Sequence, residues 1–175
     1  MGWRWRLGLV GLVAVVTACG ANQDLQKLQT TSRCTRCQLR GVNLSGQTLK
    51  QAILTGTDLA GANLSQAVLM GADLRGVNLR NANLEGANLE GTNLGEADLS
   101  GANLTGANLR QANLFRAQLR GAKLTKTDLR QAVLFGADLT QTQLTEADLV
   151  GANYSDSTQF PPGFNPVSQL MERLK

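Results

Sequence analysis

Histidine is absent from this chain, which removes the commonest general base and the commonest metal ligand at once. Aromatic residues make up 4% of the 175 positions, so the core cannot draw on the large rings that usually dominate buried area. Prolines number three while glycine is abundant without a three-residue period, which excludes a collagen-like chain and a proline-rich linker. Charge of one sign is also lacking where it would matter. Between Cys37 and Tyr154 ten Lys or Arg balance ten Asp or Glu, so neither a basic nucleic-acid stripe nor a strongly acidic surface is available.

Long hydrophobic runs are missing too. The apolar run Leu7–Ala18 follows Arg4 and Arg6 and has twelve residues. As a helix it would span about 18 Å, short of a bilayer core of about 30 Å. Residues 1–18 therefore read as a signal peptide, not a membrane span. The run ends Val16-Thr17-Ala18-Cys19, which resembles a bacterial lipobox. Lipid on Cys19 would hold the exported chain on a membrane face, in the periplasm or a thylakoid lumen. Ordinary signal cleavage at the same bond is the alternative and would leave a plain thiol. Gly20 stands where an Asp would favour inner-membrane retention.

What the chain does have is a period of five. Every fifth residue from Leu39 to Leu149 is Leu, and Tyr154 continues the series. Two positions before each Leu sits a small residue, mostly Ala, with Cys37, Val42, Gln47, Thr57 and a few others as exceptions. Asn or Asp usually lies between, and Gly often follows two positions after the Leu. A helix would scatter these Leu around its barrel, and a flat strand would send alternate ones to opposite faces. A backbone that turns a quarter circle every five residues brings all of them to one axis, with the small residue beside them.

On these residues the chain resembles the pentapeptide-repeat family, with its small–Asn/Asp–Leu–x–x pattern over residues 37–154. The resemblance implies an all-β fold, a right-handed quadrilateral β-helix of about six coils. Residues twenty apart then stack. Asn43, Asn63, Asn83 and Asn103 can form an amide ladder. Asp58, Asp98 and Asp138 alternate with Arg40, Arg80 and Arg120, either as interlocked charges or as a solvated face. Phe115 and Phe135 fall one coil apart beside Val133, either as a partner-docking patch or as rings that cover each other.

The ends need closing. Residues 155–175 read as a turn followed by a short amphipathic capping helix over 166–174, with Asn165 as N-cap and Val167, Leu170, Met171 and Leu174 on one face. Residues 19–36 read as lipid anchor, tether and N-terminal cap. Cys34 and Cys37 suit a structural disulfide or a pair of buried thiols; zinc would need two further ligands, and a redox motif would need a βαβ context.

No catalytic residue, cofactor or metal site is expected. The layout points to a non-catalytic, membrane-anchored scaffold or protein-interaction module with a protein partner and no nucleic acid. The alternative carried by the resemblance is a DNA-mimicking topoisomerase inhibitor, a cytoplasmic role that relies on acidic surfaces. The neutral repeat and the export signal argue against it.

Overall fold

The structure, a computed structural model, describes residues 19–174, with side chains from residue 23 onward. The expected signal peptide over 1–18 and the lipid on the Cys19 side chain lie outside the described residues. Helix α1 runs Cys19–Thr31 and is followed by the repeats; strands β1 (Asn153–Tyr154) and β2 (Glu172–Arg173) flank a three-residue 3₁₀ turn, Val167–Gln169. No helix among the described residues is long and apolar enough to cross a membrane.

Each repeat finds an acceptor for every backbone N–H, in its own turns or on a neighbouring coil, and this is why five residues suffice. The middle residue exchanges two bonds with the preceding coil: Asn83 donates its N–H to the Ala62 carbonyl at 2.9 Å and accepts from the Leu64 N–H at 2.7 Å. Its parallel partner is Asn63, twenty residues back, and the same spacing recurs from Arg33↔Ile53 to Val133↔Asn153. Four repeats therefore return the chain to the same face. At the corner, the Leu carbonyl accepts the N–H three residues on, as in Ala102 to Leu99 at 3.0 Å. The third residue of that turn has positive φ, which Gly101 adopts at 68° without a steric cost. Gly101 also donates across to the Arg120 carbonyl at 3.0 Å. One N–H per repeat is left over, and the Asn or Asp side chain takes it: Ser100 N–H reaches Asp98 Oδ1 at 2.9 Å. All five donors are then accounted for.

The inward places hold Leu against Ala. Leu94, Leu99 and Leu104 are fully buried, as are Ala97 and Ala102. Inward threonines are buried as well, and their hydroxyls donate to main-chain carbonyls: Thr92 to Leu89 at 2.7 Å and Thr127 to Leu104 at 2.9 Å. A hydroxyl without such an acceptor would cost about 1–3 kcal/mol in that interior. The expected axis of Leu is present, except that Leu144 is only partly buried. It lies on the last coil, where no later strand covers its face.

Two boundaries differ from the sequence reading. The repeat frame begins at Arg33, not at residue 37. Cys34 occupies a Leu place, its N–H reaching the Ile53 carbonyl at 2.7 Å, and Arg36 turns the corner with φ 55°. At the other end the frame resumes after 155–157 with one residue inserted. Thr158 takes the small place, its hydroxyl 2.8 Å from the Leu134 carbonyl, and Gln159 bridges Asp138.

The capping helix expected over 166–174 is not formed. Asn165 Oδ1 does accept the Val167 N–H at 3.0 Å, as an N-cap would. The helical turn nevertheless stops after Gln169, because Leu170 adopts a left-handed conformation at φ 54°. The chain then lays β2 along β1, with Glu172 N–H to Ala152 at 2.8 Å and Leu174 N–H to Tyr154 at 3.0 Å. A nine-residue helix is below the length that is stable on its own, whereas the coil edge offers unpaired donors and acceptors. Only Met171 of the four expected apolar residues is buried; Val167, Leu170 and Leu174 are exposed. Behind the strand, Phe160 meets Tyr154 edge-on at 5.7 Å and stacks on Phe164 at 4.9 Å.

At the N-terminus α1 closes the first coil. Leu28 is buried and Leu25 packs on the core. Ser32, at φ 55°, ends the helix by donating to the Leu28 carbonyl at 2.9 Å. Asp24 Oδ2 accepts the Gln38 N–H at 2.8 Å and ties the helix to the first coil.

Candidate interaction face

Because the inward places are filled, any contact chemistry lies on the three outward places of each repeat. The Asn and Asp there are already engaged by their own turns, a role the periodicity alone did not reveal. The Asn ladder is present in part. In the expected column Asn103 donates to Asn83 at 3.3 Å; on two other faces Asn108 donates to Asn88 at 3.4 Å and Asn78 to Asp58 at 3.0 Å. The alternating charges interlock at two of three places: Arg40 meets Asp58 at 3.1 Å and Arg80 meets Asp98 at 3.3 Å. Arg120 instead donates to Gln141 at 3.3 Å.

Two carboxylates are gripped more firmly. The Arg75 guanidinium is 2.7 Å from Asp73 Oδ2 and holds its carboxyl below the ordinary value of 3.8, against the opposing effect of partial burial. Arg130 does the same for Asp128. A lowered folded-state value gives stability that is present above the unfolded value and lost as pH falls through the folded one. Melting temperature should therefore be flat down to about pH 4 and decline below it. The double substitution Asp73→Asn and Asp128→Asn keeps the acceptor for each turn and removes the charge, so it should flatten that acid limb. An unchanged slope in melts taken across this range would show that neither carboxylate matters.

The sulfurs of Cys34 and Cys37 are bonded, with both residues buried at the first corner. Asp24 approaches them, but its carboxylate is already used by the Gln38 N–H.

Phe115, Val133 and Phe135 lie on one face. Phe115 is 38% exposed, while Val133 and Phe135 are half-buried. Its ring is met by Arg116, whose guanidinium lies 4.9 Å from the centroid. The ring–ring contacts among the described residues are both in the C-terminal cap, so mutual stacking does not occupy the Phe115 ring. Beside it a hollow of about 550 Å³ opens, lined by Arg36, Arg75, Gly95, Glu96 and Phe115 among others. Sequence reasoning had found the phenylalanines but not the hollow, whose signal was a glycine in an unusual place within the repeat.

The family profile described as pentapeptide repeats matches residues 37–76, 72–111 and 112–151. A pentapeptide repeat protein from the cyanobacterium Cyanothece 51142 is 30% identical over 79% of this chain and 98% of its own, with a TM-score of 0.50. HetL, a pentapeptide repeat protein involved in heterocyst differentiation regulation from the cyanobacterium Nostoc sp. strain PCC 7120, is 25% identical over 75% of this chain and 81% of its own, with a TM-score of 0.46. QnrB1, a plasmid-mediated fluoroquinolone resistance protein, is 14% identical over 82% of this chain and 83% of its own, with a TM-score of 0.48. No curated protein sequence matches the chain.

Proposed function

Since the chain belongs to the pentapeptide-repeat family, we propose that it is a non-catalytic protein-interaction module, exported and held on a membrane face by lipid on Cys19. The fold in this reading is a right-handed rod of about six coils. The observation that carries the reading is the exposed Phe115 beside Val133 and Phe135, an apolar group that the fold itself does not need. Three further features support it. The interior of the described repeats is filled by Leu, Ala and Thr. The repeat Asp residues are engaged in turns and ion pairs, as with Asp98 and Asp128, and not held in reserve for proton transfer. Cys19 lies in helix α1, which packs Leu25 and Leu28 on the first coil, so an anchor there would keep the N-terminal coil close to the lipid surface without a long tether.

Fractionation tests the anchor and cross-linking tests the interaction. The wild-type chain should sediment with membranes and carry the mass of acyl groups, whereas Cys19→Ser should be released. A photo-reactive residue at position 115 should give a discrete cross-linked product in intact cells, and one at Thr125, on a different face, should not. An unacylated wild-type chain in the cytosolic fraction, or equal labelling from both positions, would overturn the proposal.

A further inference from the structure

The four faces of the rod are not alike. Columns twenty residues apart assign every outward residue to a face. On the faces spanning 38–141, 43–146 and 48–151 the charges of each sign are equal in number. The fourth face, spanning 33–156, carries Arg33, Arg36, Arg75 and Arg116 against Asp73, Glu96 and Asp156, the last paired with Arg173 of the C-terminal strand. Asp73 is already matched by Arg75. Arg33, Arg36 and Arg116 take part in no ion pair among the described residues. The same face bears both outward phenylalanines.

It also bears Gly95. In the neighbouring coils of this column the corresponding residues are Thr55, Arg75, Phe115 and Phe135. The left-handed residue of this corner is Glu96, at φ 58°, so the backbone does not call for glycine at position 95. What the missing side chain creates is a notch between Arg75 and Phe115: a Cβ there would stand 3.2 Å from Asn93 Oδ1, which must give by a few tenths of an ångström, 3.9 Å from the Phe115 carbonyl oxygen and 4.0 Å from Arg75 Cγ. The notch forms part of the hollow that also reaches Arg36.

Resting on the interaction reading above, we infer that this face takes an extended acidic segment of a protein partner. Carboxylates of the segment pair with Arg36 at one end, and a large apolar side chain fills the Gly95 notch against Phe115 at the other. The spacing supports a peptide. Three coils separate Arg36 from Gly95, about 14 Å at the spacing of paired strands, which about four extended residues span. The main-chain donors on this face are bonded between coils or to Asn side chains, as with Gly95 N–H on Asn93 Oδ1 at 3.1 Å. Recognition therefore falls to side chains: charge at the arginine end and shape at the notch. Glu96, beside the notch, opposes a second carboxylate there and so sets the polarity of the segment.

The test uses the purified full chain and a fluorescein-labelled peptide, Asp-Glu-Ser-Gly-Phe-Leu, with a counterpart carrying Lys in place of both acids. The acidic peptide should bind and its counterpart should not. Gly95→Leu, which fills the notch at an ordinary backbone conformation, and Arg36→Glu should each weaken binding about tenfold or more while melting temperature stays the same. Anionic phosphatidylglycerol vesicles form the other arm and should show no dependence on Gly95. Absence of binding by the wild-type chain, equal binding by the variants, or vesicle binding lost in Gly95→Leu would each overturn the inference. None of these outcomes touches the reading of the chain as an interaction module, which stands or falls on cross-linking at position 115.

Discussion

Leu94→Asp abolishes the cooperative unfolding transition of the rod. Leu94 is fully buried near the middle of the stack, between Leu74 and Leu114 in its own column. Losing a buried Leu removes about 1.5–3 kcal/mol of apolar burial, and a carboxylate in the same place has no partner in an interior of Leu and Ala, so it must either drag in water or bind a proton at a cost of several kcal/mol. In a solenoid each coil is covered only by its neighbours, so a failed central coil also strips the interfaces above and below. Together these losses are comparable with the whole stability of a typical domain, about 5–15 kcal/mol. Circular dichroism should show no wild-type transition on heating. Leu144→Asp provides the internal control: the partly exposed Leu144 can turn its new carboxylate to water, and its variant should still melt cooperatively at a moderately lower temperature. If Leu94→Asp melted like the wild type, the leucines would not share an axis.

That axis was legible in the sequence for a simple reason. A five-residue recurrence of one bulky apolar residue with one small companion has no solution in a helix or a flat strand, so a backbone that bends every five residues is left, and the resemblance to the family implies four such bends per coil. What failed to show did so for equally physical reasons. The entry of the frame at Arg33 was hidden because Cys34 stands in a Leu place, and a disulfide with Cys37 fills the corner that a Leu would otherwise fill. The one-residue insertion over 155–157 broke the period, so Thr158 and Phe160 looked like loop although they continue the core. The Asn and Asp residues looked like surface decoration or ladder material, yet their first duty is to accept the N–H two residues on. A side chain that serves its own backbone leaves no trace in a hydrophobic pattern. On the candidate face, the two phenylalanines announced themselves by being apolar where the pattern is polar. Gly95 did not, because glycine is common throughout this chain, and only the backbone conformation separates the glycine that a turn needs from the one that leaves space.

The C-terminal segment was misread because its apolar spacing fits a helix face as well as it fits irregular chain, and the spacing says nothing about a nearby unpaired edge. The edge has a measurable consequence. Deleting residues 166–175 should lower the melting temperature on the order of 10–20 °C and make the chain self-associate. Met171 contributes about 1.5–3 kcal/mol of burial, and its neighbours close three main-chain bonds on the last coil, from Gly151 to Leu170, Glu172 to Ala152 and Leu174 to Tyr154, each worth about 0.5–1.5 kcal/mol net. The sum is roughly 3–7 kcal/mol, and each kcal/mol moves the melting temperature of a chain this size by about 2–4 °C. The bared edge and the uncovered Tyr154 would then meet the same surface of a second molecule, the usual fate of an open strand. The ion pair between Arg173 and Asp156 lies at the same end but is exposed on both sides, so Asp156→Ala should shift melting by no more than the 0–1 kcal/mol typical of surface pairs. Light scattering behind a sizing column, read beside the melts, separates the two effects. A truncated chain that stayed monomeric and melted with the full-length protein would mean that β2 covers nothing the rod depends on.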